Sequence, residues 1–247
     1  MALEGVFMKI FGHRGYSGKY PENTLKAFEM AVEMGADGIE LDVQMSKDGQ
    51  LVVIHDEMID RTSNGKGWVK DYTYEELLTF NFNQLYPEMG WMKIPLLSEV
   101  YELIKPTDLM INVELKTGIV FYPIEEKVLA LTKEYGLEDR VIYSSFNHES
   151  ILKIKELKKD AQCAFLYADG TLDMDEYALK YHIEALHPAL YNLQYKDFVA
   201  KCHKKGIPLR VWTVNEPQYI LFAQQLQVDT IITNEIALAQ QLLAKHD

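Results

Sequence analysis

Leu109-Met110-Ile111-Asn112-Val113-Glu114-Leu115 reads as a strand, and the pattern of the residues after it decides the fold. Pro123 to Tyr135 carries a helical pattern, and Val141 to Ser145 is a second apolar run. A helix between two extended runs is the crossover that parallel strands require. The unit then repeats to the end of the chain. Cys163 to Tyr167, Ala185 to His187, Leu209 to Thr213 and Thr230 to Thr233 read as strands. His148 to Lys158, Met174 to Tyr181, Lys196 to Lys205, Pro217 to Leu226 and Ile236 to Lys245 read as helices.

Upstream, Met8 to Gly12 and Gly38 to Met45 read as strands. Between them Pro21-Glu22-Asn23-Thr24 opens a helix, with Asn23 or Thr24 as its cap and Glu22 as a first-turn acid. Leu25, Phe28, Met30, Ala31 and Val32 supply its apolar stripe, and Gly35 ends it. Lys47-Asp48-Gly49 is a turn before Leu51 to His55. About five residues are too few for a parallel crossover, so Leu51 to His55 is expected to return as a hairpin. Without that return, eight strands alternate with helices. The expected fold class is therefore α/β, a TIM (β/α)8 barrel forming a single domain over residues 1–247. A doubly wound sheet is the alternative, and no GxGxxG or P-loop string supports it.

Glu57 to Lys93 break the alternation. The stretch is rich in Asn, Gly, Tyr and Trp, with one short helical run at Tyr74 to Thr79. It is expected to be a small inserted cap at about 57–94, after the hairpin. Pro95 to Lys105 is again helical, with Pro95 near the first turn.

Hydrophobic residues make up 48% of the chain, enough for a sizeable core. Lys and Arg number 25 against 37 Asp and Glu, a net charge of -12. That balance argues against nucleic-acid partners and anionic membranes, while leaving room for a local basic pocket. Cys163 and Cys202 lack CxxC spacing, so they are expected to be buried free thiols in a reducing, cytoplasmic setting. No apolar run approaches the roughly 18 residues of a membrane span, so no stable membrane insertion is expected. The N-terminus lacks the pattern of a secretory leader, and Met8 offers a second start, with Met1 to Phe7 as an extension. Oligomeric state is unmarked.

In a barrel the working face lies at the C-terminal strand ends. His13-Arg14, Glu40, Asp42, Glu114, Lys116, Phe146, His187 and Trp212 all fall there. Residues two apart on a strand share a face, so Glu40 aligns with Asp42, and Asn112 with Glu114 and Lys116. Three carboxylates pointing into a barrel are costly to bury without a cation. Oxygen ligands suit one hard divalent ion, Mg²⁺ or Ca²⁺. Solvated acids, or partners for Lys and Arg, are the plainer account of any one of them. His13 and His55 are candidate acid and base, since imidazole exchanges protons near neutral pH. Asp56 is a weaker candidate for orienting one of them. Arg14 and Lys116 are candidate anion binders, and ion pairs with Glu40 or Glu114 are compatible with that role. Trp212 and Phe146 could wall an apolar or glycerol-sized pocket, with core packing an equal reading for Phe146. His187 has no clear role, and His148, His182, His203 and His246 read as surface residues.

These residues occur in an order that resembles the glycerophosphodiester phosphodiesterase family. The motifs are His13-Arg14-Gly15, Pro21-Glu22-Asn23-Thr24, Glu40-Leu41-Asp42-Val43, His55-Asp56, Glu114-Leu115-Lys116, Ser144-Ser145-Phe146 and Trp212-Thr213-Val214-Asn215. The match runs from about residue 10 to residue 234, and the combination is specific where HRG or ELD alone is not. The resemblance implies a TIM barrel with a small insertion. It implies an enzyme that hydrolyses small-molecule glycerophosphodiesters to an alcohol and glycerol 3-phosphate. It assigns the divalent cation to Glu40, Asp42 and Glu114, acid–base work to His13 and His55, and phosphate contacts to Arg14 and Lys116. Similarity to phosphatidylinositol-specific phospholipases C further implies attack by the glycerol 2-hydroxyl through a cyclic phosphate.

Three other readings compete. A lysophospholipase D-like enzyme would use the same site with a larger apolar mouth, built from Trp68, Tyr72, Phe80, Phe82, Tyr86 and Trp91. Those aromatics are equally the insertion's own small core. A metal-dependent sugar isomerase would leave Arg14 and Lys116 without a use. A non-catalytic phosphate-ester binding protein would not need both histidines.

Overall fold

A computed structural model describes residues 7–244. Lys245 and His246, and the stretch before Phe7, lie outside the described residues. The strands are β1 (Lys9–His13), β2 (Gly38–Met45), β3 (Leu51–Val53), β4 (Met110–Leu115), β5 (Val141–Ser145), β6 (Gln162–Tyr167), β7 (Ala185–Pro188), β8 (Arg210–Val211) and β9 (Thr230–Thr233). The helices are α1 (Leu25–Glu33), α2 (Tyr74–Leu77), α3 (Leu97–Ile104), α4 (Glu125–Tyr135), α5 (His148–Leu157), α6 (Met174–Tyr181), α7 (Phe198–Lys204), α8 (Pro217–Gln225) and α9 (Ile236–Leu243).

The strands run in the order β7-β6-β5-β4-β2-β1-β9-β8. All pairs in that path are parallel, and β3 alone returns antiparallel, with Val43 opposite Val53. The path closes on itself through single parallel bridges, Leu186 to Leu209 and Ala189 to Trp212. This is the expected eight-stranded (β/α)8 barrel with a hairpin return.

β8 is shorter than the expected Leu209 to Thr213. At Trp212 the backbone bonds across the seam to the β7 side, and Val214 N–H then returns to the Ile232 carbonyl of β9 at 3.0 Å. Trp212 N–H donates to the Pro188 carbonyl at 3.2 Å, and the Trp212 carbonyl accepts from Leu190 N–H at 2.8 Å. The seam thus costs β8 its length.

Alternation sorts the side chains. Ile39, Leu41 and Val43 of β2 are buried in the large layer that also holds α1 and α3, with Phe28, Val100 and Tyr101. Phe11, Ile142, Ala164, Ala185 and Ile232 form a separate inner cluster with Met110 and Trp212. Each fully buried aliphatic or aromatic side chain contributes roughly 1.5–3 kcal/mol relative to exposure. The polar residues between the apolar ones, Glu40 and Asp42 on β2, therefore point inward.

Thr24, not Asn23, caps α1, its Oγ1 accepting from Ala27 N–H at 3.2 Å. Glu22 lies before that cap and is not a first-turn acid. Pro95 likewise precedes the helix; α3 starts at Leu97, where Glu99 reaches back to accept from Leu96 N–H at 3.0 Å.

Beyond β3 the chain forms α2 and two 3-10 turns, Val69–Asp71 and Pro87–Met89. Val52, Ile54, Ile59, Val69, Leu77, Phe82 and Ile94 make a second apolar cluster there, joined by Tyr72, Tyr74 and Phe80. Three of the six aromatics that could build a lipid mouth, Tyr72, Phe80 and Phe82, are thus spent on local packing. Trp91 is not, being 60% exposed. Tyr86 hydroxyl donates to the Ser17 carbonyl at 2.8 Å, tying this stretch to the loop after β1. Among the described residues, no helix is long and apolar enough to cross a membrane.

Candidate active site

The register of three neighbouring strands builds the site. His13 on β1 lies opposite Glu40 on β2, and Asp42 lies opposite Glu114 on β4. After His13 the chain reverses sharply, with Arg14 at φ 55° and Gly15 at φ 79°. A Cβ at Gly15 would sit 2.7 Å from the Ala27 carbonyl carbon, so only glycine lets this loop rest on α1.

Glu40, Asp42 and Glu114 each offer an oxygen, and these three atoms lie within 4.8 Å of one another. All three residues are buried. Burial and the charges of Asp42 and Glu114 push the Glu40 carboxyl well above its usual range. Burial raises Glu114 too, with Lys116 opposing and Asp42 adding to the rise. Asp42 is the exception. Burial opposes its ionisation, but Arg14, Lys116 and His55 outweigh it and hold Asp42 below the usual carboxylate range. Its Oδ1 has no hydrogen-bond partner among the described residues. Three buried acids facing two cations, with one orphaned oxygen, are the electrostatics of a cation site.

The two cations sit as expected, but on a wider set of acids. Lys116 donates to Glu114 Oε1 at 2.9 Å and lies 3.8 Å from Asp42 Oδ1. Arg14 Nη1 donates to Glu22 Oε1 at 2.7 Å, and Arg14 Nε lies 3.4 Å from Asp42 Oδ2. Its backbone N–H, not its side chain, meets Glu40 Oε2, at 3.0 Å.

His13 Nδ1 lies 2.7 Å from Asn234 Oδ1, and Nε2 faces Glu40 Oε2 at 3.9 Å. Burial, then the charge of Arg14, lowers its pKa to about 4. His55 Nδ1 lies 2.6 Å from Asp56 Oδ1. Burial disfavours the Asp56 anion, but its hydrogen bonds to His55 and Arg61 hold the carboxyl below its usual range.

One cavity is lined by His13, Arg14, Glu40, His55, Glu114, Phe146 and Trp212, with Asn112 and His187. Phe146 and Trp212 meet edge to face, with ring centroids 5.5 Å apart. Six of the eight expected site residues thus line one cavity, and Asp42 and Lys116 adjoin it through their contacts with Arg14 and Glu114.

Several residues at this mouth escaped the sequence reading. Asn23 Nδ2 donates to Asp42 Oδ2 at 2.8 Å, although Asn23 read only as a helix cap. Arg61 binds both Asp56 and Glu22. Asn234 carries no local signal beyond its place at the end of a strand. His187 is fully buried, with Arg210 Nη1 3.3 Å from its Nε2, and burial holds its pKa well below normal. His148 is not a surface residue, since its ring stacks on Phe165 at 4.2 Å. His182 and His203 are exposed as expected.

The sequence model of the glycerophosphoryl diester phosphodiesterase family matches residues 13–238. A glycerophosphodiester phosphodiesterase of Caldanaerobacter subterraneus subsp. tengcongensis is 45% identical over 228 residues, covering 92% of this chain and 93% of the relative. Another, of Bacillus altitudinis, is 45% identical over 230 residues, covering 92% of this chain and 94% of the relative. The crystal structure of a glycerophosphodiester phosphodiesterase of Thermotoga maritima superposes with a TM-score of 0.78 at 32% identity, covering 95% of this chain and 98% of that one.

Proposed function

Since this chain belongs to the glycerophosphoryl diester phosphodiesterase family and is an enzyme of that class, we propose that it hydrolyses glycerophosphodiesters to an alcohol and glycerol 3-phosphate. The observation that carries the finer reading is the buried trio Glu40, Asp42 and Glu114, with His13 and His55 lining the same cavity.

In this reading Glu40, Asp42 and Glu114 hold one divalent cation, Mg²⁺ or Ca²⁺. The fit is supported by the orphaned Asp42 Oδ1 and by the mutual repulsion of the buried acids. When bound, the ion supplies positive charge against the phosphoryl oxygens. Arg14 and Lys116 hold the phosphate from the sides, where their charge meets the charge that builds as the diester is attacked. One histidine takes the proton of the attacking oxygen at Nε2. The other gives a proton from Nε2 to the leaving alkoxide. Both rings are oriented through Nδ1, by Asn234 for His13 and by Asp56 for His55. The glycerol 2-hydroxyl is the proposed attacker, and water opens the resulting cyclic phosphate. Trp212, with Phe146 against it, walls the side where the glycerol carbons lie.

The chain acts as one barrel domain with residues 57–94 as a cap. Its partner is the small-molecule substrate rather than nucleic acid, which the net charge of -12 supports. The two buried free thiols, Cys163 and Cys202, support a cytoplasmic setting.

The test is release of glycerol 3-phosphate from glycerophosphocholine by metal-stripped protein, with Mg²⁺, Ca²⁺ or EDTA added back. Product that appears with metal and vanishes with EDTA is expected. Product that is indifferent to both would remove the metal from the reading. A lysophospholipid turned over in preference to glycerophosphocholine would favour the lysophospholipase D-like enzyme.

A further inference from the structure

Arg61 lies downstream of β3 and stands between two acids that serve different parts of the site. Its Nε and Nη2 donate to Asp56 at 2.7 and 3.0 Å. Its Nη1 and Nη2 donate to Glu22 at 2.7 and 2.8 Å. One guanidinium thus forks onto two carboxylates. Asp56 in turn holds His55 at 2.6 Å, and Glu22 holds Arg14 at 2.7 Å. The series His55–Asp56–Arg61–Glu22–Arg14 runs without a break from a proton-transfer histidine to a phosphate-binding arginine. Neither Arg61 nor Glu22 lines the central cavity.

An isolated exposed ion pair adds little to folding, whereas a bidentate network such as this one, with the Arg61 side chain 40% exposed, adds to it and to the geometry of the groups it joins. Paired forks add geometry as well as energy, because two parallel N–H···O bonds fix the angle as well as the distance. The series also joins elements of different origin. Glu22 lies in the loop between β1 and α1, and Arg61 lies in the stretch beyond the hairpin.

We propose that Arg61 and Glu22 are positioning residues. Together they set the separation and orientation of His55 and Arg14, so that the phosphate and the proton-transfer nitrogen meet in one pose. The inference rests on the roles given above to His55 and Arg14. Reactive geometry is steep, and a misplacement of about 1 Å can cost about 10²-fold in rate.

The test compares wild type with Arg61→Gln, Arg61→Lys, Glu22→Gln and the double glutamine variant. Metal-saturated protein is assayed for kcat and KM on glycerophosphocholine, beside thermal melting. Arg61→Gln should lower kcat by about 10²-fold. Arg61→Lys should restore part of the loss, since an ammonium keeps the charge but not the fork. The double variant should be no worse than the poorer single, as members of one unit are not additive. A kcat for Arg61→Gln within about twofold of wild type would overturn the proposal. So would additive losses, or a loss that disappears once the variant is assayed well below its melting point. If Arg61→Gln fails to fold, an unchanged kcat in Glu22→Gln overturns it alone. Wild-type protein inactive on every glycerophosphodiester tested would instead sink the functional reading, and this inference with it.

Discussion

Nδ1 of His13 donates to Oδ1 of Asn234 across 2.7 Å, joining residues 221 positions apart in the chain. The contact exists because β1 and β9 lie side by side, with Gly12 opposite Thr233. Ser17 hydroxyl donates to the same oxygen at 3.0 Å, and Asn215 Oδ1 accepts from Asn234 N–H at 2.8 Å. With that amide orientation the His13 proton sits on Nδ1, and Nε2 is left as an acceptor facing Glu40. The pairing of the first strand with the last thus chooses the tautomer of a residue in β1.

Asn234→Leu should therefore cost activity without removing a group from the cavity. The isobutyl side chain leaves Nδ1 unpartnered and frees the ring to turn. We expect kcat to fall by about 10- to 100-fold, the usual effect of losing an orienting partner. Steady-state kinetics beside circular dichroism checks this, and unchanged kcat in a folded variant would refute it.

His13→Ala and His55→Ala should each lower turnover by about 10²- to 10⁴-fold, the contribution of a positioned acid or base. Neither imidazole belongs to the carboxylate trio, so calorimetric titration should still find Mg²⁺ or Ca²⁺ binding. Undiminished turnover in either variant would dismiss that histidine from the chemistry.

The barrel was legible in the chain because period is a local property. Each of the six apolar runs between Leu109 and Thr233 reports its own strand, and with Met8 to Gly12 and Gly38 to Met45 they sum to one topology. The carboxylate trio was legible for a related reason. Glu40 and Asp42 interrupt an apolar strand at a spacing of two, and Glu114 repeats the interruption on another strand. Arg61, Asn234 and Glu22 were not legible, because each acts through a partner set by tertiary contact. Arg61 lies in a polar loop where an arginine has no reason to stand out. The Glu22 carboxylate looks like an ordinary helix-start acid until the cap is seen at Thr24. The end of β8 is not legible because Trp212 and Thr213 have strand character, and only the seam with β7 reveals that the backbone bonds of Trp212 go to Pro188 and Leu190.

Glu40→Gln should separate the cost of the carboxylate trio from its use. Without an ion, burial and the charges of Asp42 and Glu114 already disfavour the Glu40 anion. The variant should then melt no lower than wild type in EDTA. Added metal should raise the wild-type melting point, since ligand at about 100 times its Kd stabilises by about 2.7 kcal/mol. For a chain of this size that is a shift of about 5–10 °C. Glu40→Gln and Glu114→Gln should lose most of the shift. Scanning calorimetry with and without EDTA decides, and a full metal shift in both variants would exclude these acids as ligands.

His13 should make the metal-stripped protein sensitive to mild acid. Its pKa in the folded state is lowered to about 4, by burial first and then by Arg14, against 6.5 for the free side chain. The sign is set by where the proton goes. Between about pH 6.5 and pH 4 the unfolded chain binds a proton that the folded chain refuses, so falling pH drains stability. Above that window the residue contributes nothing to the slope, and below it both states are protonated. The full effect is about 3 kcal/mol, and most of it is spent by pH 4.5. Glu40 works in the opposite direction, because its raised carboxyl pKa favours folding at low pH and loses that advantage as pH rises. The two must therefore be separated by a variant. Urea unfolding of wild type and His13→Gln at pH 7 and pH 4.5 does this. Wild type should lose about 2–3 kcal/mol more than the variant over that interval. Equal losses would mean that the His13 imidazole takes up its proton in place, with Glu40, 3.9 Å from its Nε2, as the receiving partner.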